Sequence, residues 1–230
     1  MGGAEVAGAE AARLMSRLML VIGVAPLLAP TVGGVIAEQW GWRGVFVLGH
    51  AGTGKSFLTQ HFIARQRQKQ VAWCVLDKDV VSEAWSGPFL QALGQDPNDR
   101  DSPTFKEKVR DLEYRSTLRI ARDQLELDLN VVFPAPWSRE LASSALFSTD
   151  ALGFPPKTRL RHVWLELPEA VRKQRIIERA DPRDAWKLGN WTTYFSALKR
   201  PAAVQDGRVP VMDASLPLET QLQILEAMVD

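Results

Sequence analysis

As a pattern of hydrophobic and polar positions, the chain divides into two unlike parts. From Leu18 to Ala37, LMLVIGVAPLLAPTVGGVIA, there is no charge, and Thr31 is the one polar side chain. This is about the length that a bilayer-spanning helix needs. Pro26, Pro30, Gly23, Gly33 and Gly34 suit a membrane helix better than a soluble one. Arg13 and Arg17 precede the run as they would in a secretory signal, but it is long for a signal and no clear A-x-A site follows it. Beyond it, short apolar runs alternate with amphipathic stretches. Val45–Leu48 predicts a buried parallel strand, and 56–69 predicts a helix with Phe57, Leu58, Phe62 and Ile63 turned toward a sheet. Strands follow at 71–79, at 130–137, from His162 and at 208–215. Between the second and third, 104–129 is helical, with Val109, Leu112, Leu118, Ala121 and Leu125 on one face. Pro168 opens another helix and 216–229 closes the chain. This alternation predicts an α/β fold, a five-stranded parallel sheet flanked by helices. The domains are then 1–44, an extra apolar helical segment, and 45–230, the α/β domain.

Composition narrows the functional classes. The chain has 230 residues, 46% hydrophobic and 24% charged, enough for a sizeable core. Lys and Arg number 28 against 27 Asp and Glu, a net charge of +1, so no global field draws it to nucleic acid or an anionic membrane. The one cysteine, Cys74, reads as a small core residue in a reducing compartment.

The sharpest signal is GHAGTGKS, Gly49 to Ser56, which fits G-x-x-x-x-G-K-[ST] in full between a predicted strand and a predicted helix. Glycines let backbone N–H groups close around phosphate, and the helix N-terminus favours the anion. The nucleotide is therefore assigned to Gly49, His50, Ala51, Gly52, Thr53 and Gly54, with Lys55, Ser56 and Phe57 opening the helix. Lys55 reaches the β- and γ-phosphates and Ser56 ligates Mg²⁺. His50 is expected to face solvent.

The second strand ends in LDKD. Alternation would point Asp77 and Asp79 the same way at the carboxyl edge of the sheet, where ligands of such folds collect. Asp77 then assists Ser56 at Mg²⁺, and Asp79 is the candidate base for an attacking hydroxyl. The third strand, NVVFPAPW, lacks the terminal acid of a Walker B motor ATPase and suits kinases whose acid comes from the second strand. Arg172, Arg175, Arg179 and Arg183 recur at spacings of three or four. ADPRD breaks the helix where a lid would hinge, which singles out Arg179 and Arg183 as closing over the γ-phosphate. Arg110, Tyr114 and Arg115 can approach an acceptor. Trp85, Trp137 and Arg139 are further acceptor candidates, although core packing is the simpler role for the tryptophans. The turn after the fifth strand is placed to frame the adenine.

Two resemblances accompany these motifs. Ala12 to Phe46, with APTVGG and WGWRGVF, resembles the fifth helix and following loop of drug/proton antiporters of the major facilitator superfamily, the Bcr/CflA type. Ala29 stands where that family's G-P-x-x-G-G motif has its first glycine. One helix of such a transporter implies no transport, and followed literally it would carry the rest of the chain out of the cell. A fused fragment, or a helix lying beside the soluble domain, is the expectation. From Val45 onward the chain resembles the P-loop kinase-like proteins that include zeta toxins, chloramphenicol phosphotransferase, gluconate kinase and polynucleotide 5′-kinases. It is most similar to AAA family ATP-binding members with LDKD and a lid like ERADPRDAWKLGNW. The resemblance implies a P-loop NTPase fold with a lid, ATP and Mg²⁺ as cofactors, and a hydroxyl acceptor. VVSEAW after Asp79 carries no arginine where several relatives have one, so acceptor recognition is not inherited.

The expected activity is phosphoryl transfer from ATP to a hydroxyl of a small molecule, with catalysis by Asp79, Lys55, Arg179 and Arg183. A nucleotide-binding module or ATPase switch without an acceptor is the alternative. The expected location is the cytoplasm, or the membrane's cytoplasmic face if residues 18–37 anchor there; no specific nucleic-acid partner is expected.

Overall fold

The computed structural model describes residues 42–229. The apolar segment at 18–37 and the transporter-like stretch preceding Trp42 lie outside the described residues. Among the described residues, no helix is long and apolar enough to cross a membrane.

Five parallel strands form one sheet in the order β2-β3-β1-β4-β5. They are β1 (Arg43–Leu48), β2 (Trp73–Val75), β3 (Asn130–Pro134), β4 (Arg159–Glu166) and β5 (Val211–Asp213). β1 takes the centre because RGVFVL is apolar on both faces, as a parallel strand covered by helices on each side must be. Phe46 and Leu48 join one core with Phe133, Tyr114, Leu125 and Trp164. Val45 and Val47 join the other with Val132, Leu165, Leu58, Phe62 and Leu225. Cross-strand register sets Phe46 beside Phe133, their rings stacked at 4.5 Å.

The chain crosses from β1 to β2 and returns to insert β3 between them, then passes to the other side of β1 with β4 and β5. The reversal leaves a crevice at the carboxyl ends of β1 and β3, the position where open α/β sheets bind ligands. Helix α1 (Lys55–Gln68) follows β1 and packs on the sheet through Leu58 and Phe62. Phe57, expected to face the sheet, is instead 56% exposed, because the helix turns that position toward the crevice rim. α2 (Lys78–Ala92) follows β2, and one π-helical turn (Phe105–Val109) leads into α3 (Arg110–Glu126). α3 buries Glu113, Tyr114, Thr117, Ala121 and Leu125, while Leu112 and Leu118 are half-buried, so the predicted face is rotated toward polar residues.

After β3 come α4 (Ser138–Ala142) and α5 (Thr149–Leu152); after β4 comes α6 (Glu169–Arg179). Ala180 takes a left-handed φ of 49°, which ends α6, and a short 3₁₀ turn (Pro182–Asp184) leads to α7 (Ala185–Gly189) and α8 (Trp191–Ala197). The break expected at ADPRD is therefore real. Beyond α9 (Ala202–Gln205) and β5, α10 (Leu218–Val229) packs along α1. Arg65 and Lys69 hold it there, bridging Glu219 and Glu226 at 2.6–3.1 Å.

Candidate active site

The loop after β1 curls back on itself. Gly49, Gly52 and Gly54 all have positive φ, and at two of them there is no room for a side chain. A Cβ on Gly49 would lie 2.7 Å from the Leu165 carbonyl oxygen; one on Gly52 would lie 2.9 Å from Ile176 of α6. The loop is thus wedged between β4 and α6. Gly54 occupies the N-cap of α1 without a side-chain cap, so the first amides of the helix are left facing the crevice. Inside the arc, Lys55 Nζ donates to the carbonyls of Gly49 (2.9 Å) and His50 (2.8 Å). Burial lowers its pKa to about 8, partly opposed by Asp79 and Asp77. His50 is not a solvent-facing residue as expected. It packs edge-on against Trp164 at 4.9 Å, and burial, with Arg172 and Lys55 nearby, lowers its pKa to about 4.

Asp77 and Asp79 converge on the loop, but by another route than strand alternation. β2 stops at Val75, and Asp77 is the N-cap of α2, its Oδ1 accepting the amide of Asp79 at 3.0 Å. The other oxygen accepts the Ser56 hydroxyl at 2.8 Å. Burial and the neighbouring Asp79 raise the pKa of Asp77. Two hard oxygen donors side by side at a phosphate loop suit Mg²⁺, which takes few protein ligands and completes its shell with phosphate and water. Among the described residues there is no cluster of three or more acidic, His or Cys side chains that would form a separate metal cage.

Asp79, in the first turn of α2, faces a cavity of about 780 Å³ that spreads from the loop to the lid. Burial works against its ionisation, yet Lys78, Arg183 and Lys55 together hold its pKa below the ordinary carboxylate value. Lys78 Nζ lies 2.5 Å from Asp79 Oδ1 and 3.1 Å from Glu113 Oε2, and Glu113 in turn accepts the Ser86 hydroxyl at 2.7 Å. Glu113 is 0% exposed. A buried carboxylate is tolerated only when paired and hydrogen-bonded, and this one anchors Lys78 against Asp79. Sequence reasoning missed the chain, since a Glu on an amphipathic helix reads as solvated.

The arginines of α6 and of the turn after it, where a lid was expected, are placed differently from the expectation. Arg172 is buried beneath Phe195, 5.4 Å from its ring, and burial lowers its pKa. Arg179 pairs with Asp184, and Arg183 grips Asp181 at 2.7 Å while lying 3.8 Å from Asp79. Both line the cavity, each already holding a carboxylate. Arg175 also lines it; its guanidinium approaches within 3.2 Å of where a Gly54 Cβ would stand, and it makes no ion pair among the described residues. Lys187 of α7 reaches Asp101, before the π turn, at 3.4 Å, joining the lid to the far wall.

That far wall brings together Arg100, Lys106, Arg110 and Tyr114, with Trp186 and Tyr194 from the lid. Arg110 and Tyr114 were anticipated. Arg115 is exposed and bonds its own helix backbone; Arg139 binds Asp111 and the Lys106 carbonyl outside the cavity. Trp137 is fully buried against Tyr114 and Phe46, and Trp85 packs on the small core of Leu90, Phe105 and Val109. The turn after β5 is not part of the cavity lining.

Comparison with known proteins agrees with this geometry. A family model described as AAA domain matches residues 45–201. The chain belongs to the AAA domain family. It is an ATP-binding P-loop protein, and within the family's region its β3 ends on Pro134 rather than an acid. No curated protein matches it. Its fold is that of P-loop kinases. A sugar kinase from Janibacter sp. is similar at 16% identity and a TM-score of 0.53, over 82% of this chain and 95% of that one. An APS kinase from Mycobacterium tuberculosis, in complex with AMPPNP and APS, is similar at 18% identity and 0.54, over 82% and 97%. A kinase described as putative, from Chloroflexus aurantiacus, gives 15% and 0.54, over 82% and 99%. The transporter-like stretch lies almost wholly outside the matched region.

Proposed function

We propose that the chain is a kinase that transfers the γ-phosphate of ATP to a hydroxyl of a small molecule. The observation that carries this reading is Asp79, which is held ionised at the rim of the phosphate loop and faces a cavity of about 780 Å³ that it shares with Lys55 and the arginines of α6.

In this reading the amides of the loop and Lys55 bind the phosphates. Ser56 and Asp77 would hold Mg²⁺, which when bound would supply positive charge against the phosphates. Asp79 accepts a hydrogen bond from the acceptor hydroxyl, aims its oxygen at phosphorus and takes the proton as the new bond to phosphorus forms and the bond from phosphorus to the β,γ-bridging oxygen breaks, releasing ADP. A low pKa is no obstacle, since phosphoryl transfer asks more of positioning than of basicity. Lys78, pinned by Glu113, fixes the Asp79 carboxylate. Arg175, Arg179 and Arg183 approach the transferring group from the lid and exclude water as it closes. The size of the cavity and the near-neutral charge of the protein suit a small acceptor rather than a polynucleotide.

Radiolabelled ATP offered with a library of hydroxyl compounds tests the reading. Label should pass to an organic product in the wild type. Asp79→Asn should lower that transfer by roughly 10²-fold or more, with ATP affinity little changed by fluorescent-nucleotide titration. Transfer at the wild-type rate in Asp79→Asn would remove Asp79 as the base.

A further inference from the structure

On the far wall of the cavity, two cations have no hydrogen-bonded carboxylate among the described residues. Arg110 is fully engaged, forked onto Glu140 at 2.9 and 2.8 Å and bonded to Asp111 at 2.8 Å. Lys78 is shared between Asp79 and Glu113, and Lys187 lies between Asp101 and Asp184. Two cations remain. The Arg100 side chain is 14% exposed; its Nη1 donates to the carbonyls of Pro97 (3.0 Å) and Asp99 (2.7 Å), and its buried Nε has no acceptor. The carboxylate within ion-pair range of it among the described residues is Glu113, at 3.9 Å, and both Glu113 oxygens already serve Ser86 and Lys78. Lys106, on the π turn beside it, has no ion pair among the described residues.

A largely buried guanidinium is ordinarily answered by a hydrogen-bonded anion. Arg100 is fixed in place by backbone carbonyls and by the Phe105 ring, 5.3 Å away, so it is prepared as a receptor and is not a loose surface group. It opens on the same cavity as Asp79, with the aromatic side chains of Tyr114, Trp186 and Tyr194 between lid and wall.

Resting on the transfer reading above, we infer that the acceptor carries an anionic group, a phosphate, sulfate or carboxylate, bound by Arg100 and Lys106 while its hydroxyl meets Asp79. The body between the two groups packs against aromatic rings. Anionic hydroxyl compounds are thereby selected over their neutral counterparts, by charge at the far wall and not by contacts at the phosphate loop.

The test needs no knowledge of the acceptor. The full chain is saturated with Mg²⁺ and AMPPNP, so that the phosphate loop is filled. Sulfate and acetate are then titrated separately, at constant ionic strength held with chloride. The Arg100 Nε–H resonance and tryptophan fluorescence are followed. A saturable response is expected, stronger for sulfate if the group is a dianion and for acetate if it is a carboxylate. Arg100→Gln should weaken it roughly tenfold or more, and Lys106→Gln, an exposed change, should weaken it while leaving the fold intact. No saturable response, or one that both variants leave unchanged, would overturn the inference. Label transfer from ATP reads the kinase proposal separately: transfer to neutral compounds in a protein that binds neither anion removes the anion site alone. Anion binding in a protein that phosphorylates no hydroxyl compound removes the kinase reading and keeps the site.

Discussion

At the scale of single residues, burial without full compensation sets the chemistry. Lys55 is the clearest case. Its pKa of about 8 means that the cation attracting phosphate is lost over a pH range where an ordinary lysine stays charged. ATP affinity should therefore fall as pH rises through about 8, and the fall should vanish in Lys55→Met; fluorescent-nucleotide titrations from pH 7 to 9.5 read this directly. The histidines give the stability counterpart. His162, stacked on Phe46 and bonded through Nε2 to the Leu146 carbonyl, has a pKa of about 4, depressed by burial, as has His50. A folded pKa below the unfolded value means that the unfolded chain takes the proton more readily. The stability tied to these neutral rings is whole above pH 6.5 and is lost as pH falls from there through about 4. For His162 the loss is on the order of 3 kcal/mol. Urea midpoints measured from pH 7 to 4.5 should drop accordingly, and His162→Phe should flatten that drop.

At the scale of elements, what was legible in the sequence was what lies contiguous along it. The phosphate loop, its strand and its helix form one run, and Gly49, Lys55 and Ser56 are where the motif puts them. The break after α6 was legible because Asp181-Pro182 cannot continue the helix, and Ala180 turns left-handed there. Strand alternation misjudged Asp77 and Asp79, since β2 is three residues long and a helix cap does the converging. Glu113 escaped because its partners Lys78 and Ser86 are distant in sequence, and Arg100 and Lys106 because polar residues without periodicity read as solvated. The preference for Arg179 and Arg183 over Arg175 followed from the hinge alone, whereas carboxylate partners are visible only in the fold. The Lys187–Asp101 bridge has a consequence at this scale. It ties α7 to the loop before the π turn, and both of its residues line the cavity. If lid opening limits the proposed turnover, Asp101→Asn should raise the rate of product release. The same change should weaken acceptor retention, a split between kcat and KM that steady-state kinetics would show.

At the scale of the whole molecule, the described residues 42–229 carry the sheet and a core on each of its faces. Trp42 belongs with them: its carbonyl accepts the Arg159 amide at 2.7 Å and its side chain packs on the core around Phe46. A chain beginning at Trp42 should therefore fold and bind ATP with unchanged affinity, whereas one beginning at Val45 should lose the Arg43 and Gly44 pairings to β3 and β4 and melt several degrees lower. Thermal melts of the two chains with and without nucleotide decide this. Finally, in the proposed reaction the carboxylates already in the grip of Arg179 and Arg183 would make this segment a comparator. A guanidinium that must release Asp184 or Asp181 gains only when a better anion is offered. In the proposed reaction the third phosphate of ATP is such an anion and the shortened ADP is not. The hand-over of the phosphoryl group would then itself return each arginine to its resident aspartate, so that the spent nucleotide leaves through a gate its own chemistry has unfastened.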